Sequence, residues 1–222
     1  MSKVLLVIGA LLMSVCSSGQ VYLTDPINGK PYTIKQYEDV QGSAWLFEDW
    51  KTAYVTDKFG TTHLNVQIRF DLYANKFFYN YNNTVYEFVT TINEVEIFLS
   101  VPGDTTNRMI FRRGFSINDV VGPLKYLQVM AEGRVTFLKY LYKSLDETTE
   151  YNVPGKIKTF NSRSTFFYLK DGKSQSQKPG SKILEELTND KWAEVDAYMK
   201  QNSLSAKNEA DFARAIKYYN TL

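Results

Sequence analysis

The stretch TTHLNVQIRFDLY, residues 61–73, decides the fold. Within it Leu64, Val66, Ile68, Phe70 and Leu72 alternate with His63, Asn65, Gln67, Arg69 and Asp71. Successive side chains of a strand point to opposite sides, so this period of two predicts a strand with one buried and one wet face. The pattern assigns the even-numbered residues to the core and His63 and Gln67 to water. Upstream, AYVT (53–56) runs into DKFG (57–60), where Gly60 is free to take a positive φ, and a hairpin is expected. Downstream, FFYNY (77–81), then Asn82 and Asn83, then TVYEF (84–88) predict a second hairpin. Val95, Ile97, Leu99 and Val101 continue the alternation until PGD (102–104) ends it.

Further strands are expected at 108–115, 126–131 and 135–142, with Glu132 and Gly133 forming a tight turn, and at 165–170, turning at Asp171 and Gly172. Residues 143–155 are polar and weakly patterned and read as a loop. The 16 Tyr and 14 Phe suit pleated, half-buried surfaces. From residue 179 the pattern becomes helical. Ser181 is positioned to cap a short helix, Asn189 one over 190–201 with Trp192, Val195 and Met199 on one face, and Ser205 a third with Phe212, Ala213, Ile216 and Tyr219 on one face. The expected fold is mainly β with a C-terminal α-helical segment (α+β), its β part (20–178) an antiparallel meander, sandwich or open barrel. The helices of 179–222 are expected to pack on it.

The N-terminus carries the sharpest functional signal. Lys3 precedes the apolar run VLLVIGALLMSV (4–15), and the small residues Ser17, Ser18 and Gly19 follow, which is the three-part plan of a secretory signal peptide over 1–19. The run is shorter than the roughly 20 residues a membrane-spanning helix needs, and no later stretch reaches that length without charges. Two processing routes compete: cleavage before Gln20, or lipidation of Cys16. Removal of Cys16, the single cysteine, leaves a chain with no disulfide. The expected location is therefore exported: periplasmic, outer-membrane-associated or extracellular, with no transmembrane segment in the mature chain.

Net charge is +2, and +1 without Lys3, which argues against nucleic acid as a partner. His63 is the only histidine and reads as a solvated strand residue. No G-x-S-x-G elbow, P-loop, G-x-G-x-x-G or calcium loop occurs. Glu94 and Glu96 share a strand face about 7 Å apart, but glycosidase carboxylates face one another across a cleft. Glu48 with Asp49, and Asp146 with Glu147, are weaker pairs. Trp45 and Trp50 flank Phe47 in an aromatic segment suited to core packing or to stacking on a ligand. Asn82-Asn83-Thr84 fits the N-glycosylation triplet, which matters only in a eukaryotic secretory host. No catalytic, cofactor-binding or metal residue is assigned.

Four stretches, GSAWLFEDW (42–50), AYVTDKFGTTHLNVQIRFDLYANKF (53–77), VMAEGRVTFLKY (129–140) and NDKWAEVDAYMKQNSLSAKNEADFARAIKYYNTL (189–222), resemble a group of exported, functionally uncharacterised bacterial cell-envelope proteins. The resemblance implies an envelope setting and carries over no activity and no functional residue. Three functional readings stand. The first is a non-enzymatic envelope protein that binds another envelope protein or polymer. The second is a carrier holding an apolar ligand against the Leu64–Leu72 face of a curved sheet. The third is a hydrolase using carboxylates alone.

Overall fold

The computed structural model describes residues 27, 29–33, 37, 39–117, 121–149 and 155–222; the expected signal peptide, Cys16 and Gln20 lie outside the described residues. Among these, twelve strands form one open sheet. They are β1 (Lys30–Pro31), β2 (Val40–Gln41), β3 (Lys51–Asp57), β4 (Thr62–Asp71), β5 (Lys76–Tyr81) and β6 (Thr84–Glu87). Then follow β7 (Ile92–Phe98), β8 (Arg108–Arg112), β9 (Leu127–Ala131), β10 (Thr136–Thr148), β11 (Ile157–Lys170) and β12 (Lys173–Ser176). The order is β1-β6-β5-β4-β3-β7-β8-β9-β10-β11-β12, and β2 runs parallel beside the start of β11. The fold is thus two antiparallel meanders, β3 to β6 and β7 to β12, joined where β3 pairs with β7.

The hairpins follow from local chemistry. Asn82 and Asn83 both take positive φ between β5 and β6, as a two-residue turn matched to strand twist requires. Between β4 and β5, Asp71 Oδ1 accepts the backbone N–H groups of Tyr73 and Ala74, while its Oδ2 accepts the Tyr37 hydroxyl at 2.9 Å. That buried carboxylate is fully occupied in holding the turn.

The sheet curls upon itself. Four strands separate β4 from β10 in the sheet, yet the Lys143 N–H reaches the Leu72 carbonyl at 3.4 Å. The Asn75 side chain also meets the backbone of Tyr126, Oδ1 accepting its N–H at 2.8 Å and Nδ2 donating to its carbonyl at 3.3 Å. Inside the curl Phe70 stacks on Phe77 at 4.0 Å, and both meet Phe111 and Tyr126 edge-on. Ala53, Val55, Ile68, Val95 and Ile97 complete this core.

In the C-terminal half the same sheet face is covered by helices instead. These are α1 (Ser181–Leu187), a 3-10 turn (Asn189–Lys191), α2 (Trp192–Gln201) and α3 (Glu209–Tyr219). Phe212 and Ile216 of α3 seal the face of Phe137, Phe166 and Tyr168, with Leu184, Val195 and Met199 beside them. The opposite face, at Leu127, Leu138 and Phe167, is covered by Phe115, Ile117 and Val121.

Several expectations change. The alternation of β4 is interrupted: Ala53 pairs with Val66 and Val55 with His63, so Leu64 and Asn65 together face Tyr54. Asn65 supplies the left-handed conformation (φ 57°) of this bulge, which inserts one residue and reverses sidedness beyond it. Val66, Ile68, Phe70 and Leu72 are buried as expected, but Leu64 is 61% exposed. His63 moves to the inner face beside Val55, rather than the wet face. Residues 143–155 are not a loop throughout: β10 runs on to Thr148 and β11 begins at Ile157. Along residues 143–148 the side chains are half-buried or exposed and all but Leu145 are polar, which erased the alternation. The arm is stitched by Asn161 and Arg163 on Asp146 and by Lys156 on Glu147. The helix caps shift as well. Ser181 is the first residue of α1, behind Gly180, and α2 starts at Trp192 after the turn begun by Asn189. The α3 cap is Asn208, accepting from Ala210 and Asp211, while the Ser205 N–H bonds back to Asp211.

Candidate functional site

The acids weighed for a carboxylate hydrolase are mostly held in ion pairs. On the outer face, Glu94 takes Arg112 at 2.6 Å, and Arg112 also reaches Glu132 at 2.5 Å. Glu96 pairs with Arg108. Both glutamates thus face cations on β8 rather than one another across a cleft. Glu48 lies 3.5 Å from Arg69. His63 stands 3.7 Å from Asp57, whose other oxygen accepts the N–H groups of Phe59 and Thr61 in the β3–β4 turn. That places the histidine at the mouth of a concavity lined by Leu64, Val66, Tyr79 and Tyr81. No cluster of three metal-ligating side chains occurs among the described residues.

Trp45 and Trp50 enclose Arg69, whose guanidinium carbon lies 4.4 Å from one ring and 5.7 Å from the other. Phe78 abuts Trp45 edge-on. Burial lowers the pKa of Arg69, against the opposing pull of Glu48 and Asp49. Its occupancy by Arg69 makes this aromatic segment a packing unit of the outer face.

The feature that packing leaves open is a groove of about 430 Å³ at one mouth of the curl. Three segments build it. The β4–β5 turn contributes Asn75 and Lys76, with Phe77 behind. Residues 88–91 carry the chain from β6 back to the far side of β3, anchored where Phe88 packs on Tyr79 at 4.6 Å and where Lys58 N–H meets the Thr91 carbonyl. The third segment surrounds Arg113 and Tyr126: Arg113 N–H bonds to Asn93, Gly114 N–H to Pro123 and Lys125 N–H to Gly122. Tyr126 is fixed from two sides, its backbone by Asn75 and its hydroxyl by the Ile92 carbonyl at 2.7 Å. Burial raises its phenol pKa, and the neighbouring Arg113 works in the other direction.

Charge and polarity in the groove are unbalanced. Lys76 is neutralised by Glu87 at 2.6 Å. Arg113 rests over the Tyr126 ring at 5.9 Å, and neither it nor Lys125 has a carboxylate partner among the described residues. Beside these cations, Val89 is 66% and Leu124 71% exposed. Arg113 falls in the expected strand 108–115, where it reads as a solvated strand residue, but the strand ends at Arg112. Val89, Leu124 and Lys125 were not singled out, because they lie in connections without periodicity. The available signal was a large apolar residue next to a cation in a segment otherwise rich in Gly and Pro, VGPLK (121–125).

The carrier reading placed its ligand against Leu64, Val66, Ile68, Phe70 and Leu72. Val66, Ile68, Phe70 and Leu72 belong to the packed core, while Leu64 and Val66 border the concavity beside His63. Comparison with known protein families, with characterised proteins and with solved structures finds no match. No helix among the described residues is long and apolar enough to cross a membrane.

Proposed function

We propose that the chain is an exported, non-enzymatic binding module of a bacterial cell envelope, with the groove beside Tyr126 as its contact site. The observation that carries this reading is the groove's composition. Two cations without a carboxylate partner among the described residues and two strongly exposed apolar side chains share one concave surface. Exposed apolar surface costs solubility and contributes nothing to the fold, so its concentration around a concavity marks a place of contact. Export rests on Lys3, the apolar run and the small residues after it, and on the resemblance to envelope proteins. The pairing of Glu94 and Glu96 with arginines favours binding over hydrolysis.

Native mass spectrometry of the protein recovered from its own envelope tests both halves. The expected result is a mature chain beginning at Gln20 that carries a bound molecule, and loss of that molecule in the Leu124→Asp variant. A lipid-modified Cys16 would overturn cleavage before Gln20. A wild-type chain free of any adduct, or an adduct that survives the substitution, would sink the groove as the contact site.

A further inference from the structure

The groove's chemistry defines a ligand class, an inference that rests on the binding-module reading. Three features of the lining act together. The head of the site is cationic, with Arg113 and Lys125 both lacking a carboxylate partner among the described residues, while Lys76 is satisfied by Glu87. The walls are apolar, made of Phe88, Val89 and Leu124, over a floor containing Phe77 and Ile92. The volume, about 430 Å³, lies toward the lower end of the roughly 300–1,000 Å³ typical of small-molecule sites, room for one chain rather than a two-tailed lipid. The strands at the groove offer no free edge to an extended peptide: β5 is paired on both sides by β4 and β6, and β6 is covered in turn by β1.

We propose that this groove binds a single-chain anionic amphiphile, a free fatty-acid-like carboxylate. Its head would lie between Arg113 and Lys125 and its chain along Phe88, Val89 and Leu124. Arginine suits the head, because its planar fork meets both oxygens of a carboxylate, and lysine adds a second positive charge. A carboxylate in this position would neutralise the two cations while the chain covers the exposed Val89 and Leu124. Each half of the ligand answers one half of the imbalance. The rigid Asn75–Tyr126 link, with the Tyr126 hydroxyl tied to Ile92, holds the floor in place before binding.

Isothermal titration of the exported, processed protein with dodecanoate, dodecyltrimethylammonium and acetate tests the class. Dodecanoate is expected to bind one per chain, acetate and the cationic chain at least roughly tenfold more weakly, since each lacks one half of the complementarity. Arg113→Gln with Lys125→Gln should weaken dodecanoate roughly tenfold or more, and Leu124→Ser should do so with the head left intact. Arg113→Lys keeps the charge and the packing over Tyr126 and should retain most of the binding, which separates loss of charge from loss of fold. Equal affinity for the cationic and anionic chains, dodecanoate affinity unchanged in the double glutamine variant, or no dodecanoate binding would overturn the proposal. So would binding of dioleoylphosphatidylglycerol vesicles, or of an acidic hexapeptide, in preference to dodecanoate. If dodecanoate fails while the envelope-derived adduct is still lost in Leu124→Asp, the ligand class is wrong and the binding module stands.

Discussion

The two halves of the sheet bury one and the same face by different means. From β3 to β8 the sheet curls and supplies its own cover, so Phe70 and Phe77 of the paired β4 and β5 meet Phe111 of β8 and Tyr126 just before β9 at the centre. From β9 to β11 the strands stay open and three helices provide the cover, with Phe212 as the main knob against Phe137 and Tyr168. Each half is pinned by an asparagine whose amide takes both backbone groups of one residue. Asn75 holds Tyr126 in the curl, and Asn220 holds Val135 under the helices, accepting at 2.9 Å and donating at 2.8 Å. A curl must be closed by contacts distant in sequence, whereas a helical cover needs only its own amphipathic faces. The groove sits at the curled half, because a curl has a mouth.

The largest expected effects come from emptying the two cores. Phe70→Ala and Phe212→Ala should each cost about 3–5 kcal/mol in urea denaturation, the usual range for a buried phenylalanine. Hydrogen exchange then sharpens the comparison. The Phe212 variant should lose protection first in α1 to α3, the Phe70 variant throughout, since β3 and β7 join both meanders. Uniform loss in both would make the halves one cooperative unit.

The asparagine links come next. Asn75→Asp and Asn220→Asp keep shape but replace a donor with an acceptor facing a carbonyl, and each should cost about 1–3 kcal/mol by thermal or urea unfolding near neutral pH. A neutral outcome at Asn220 would show that the helices hold without the link. Smaller again is Asn208→Ala, which removes the side-chain acceptor for Ala210 and Asp211 and should cost about 1 kcal/mol.

The smallest effect is electrostatic. The Tyr219 hydroxyl and then Arg134 hold the Asp190 carboxyl down to about 2. A depressed carboxylate adds stability above its unfolded value of about 3.9, and that stability is lost as pH falls through the folded value. Stability measured from about pH 4 to pH 2 should therefore fall less steeply in Asp190→Asn than in the parent. Identical slopes would assign the acid sensitivity to other groups.

Legibility in the sequence followed the same division. The strands of the curl were readable because one face is apolar and the other wet, and the turns because Asn82, Asn83, Gly60 and Gly172 meet specific backbone demands. The bulge was not readable. An asparagine in the left-handed conformation looks in sequence like any polar strand residue, and it moved both Leu64 and His63 to the side opposite that expected. The arm of β10 and β11 escaped because polar cross-strand pairs carry no period. The caps of α1 and α3 were misplaced by one and three residues, since glycine or asparagine serves as well as the serines chosen. The groove was the least legible part, being assembled from three connections whose meeting depends on the curl.

The junction of β3 with β7 has a consequence for the order of assembly. The meander from β3 to β6 joins neighbours through short turns and can form as soon as residues 51–87 are free. One edge of it, along β3, then waits for β7, whose first residue lies 35 positions beyond Asp57. Until that partner arrives, the unpaired backbone of β3 is a template for any passing strand, and the aromatic face behind it lacks Phe111 and Tyr126. If the chain is exported as proposed, threaded across a membrane from its N-terminus, this interval coincides with translocation. Slowing the delivery of residues 88–98 should therefore raise aggregation more than slowing the delivery of the helices, which arrive after that edge has closed.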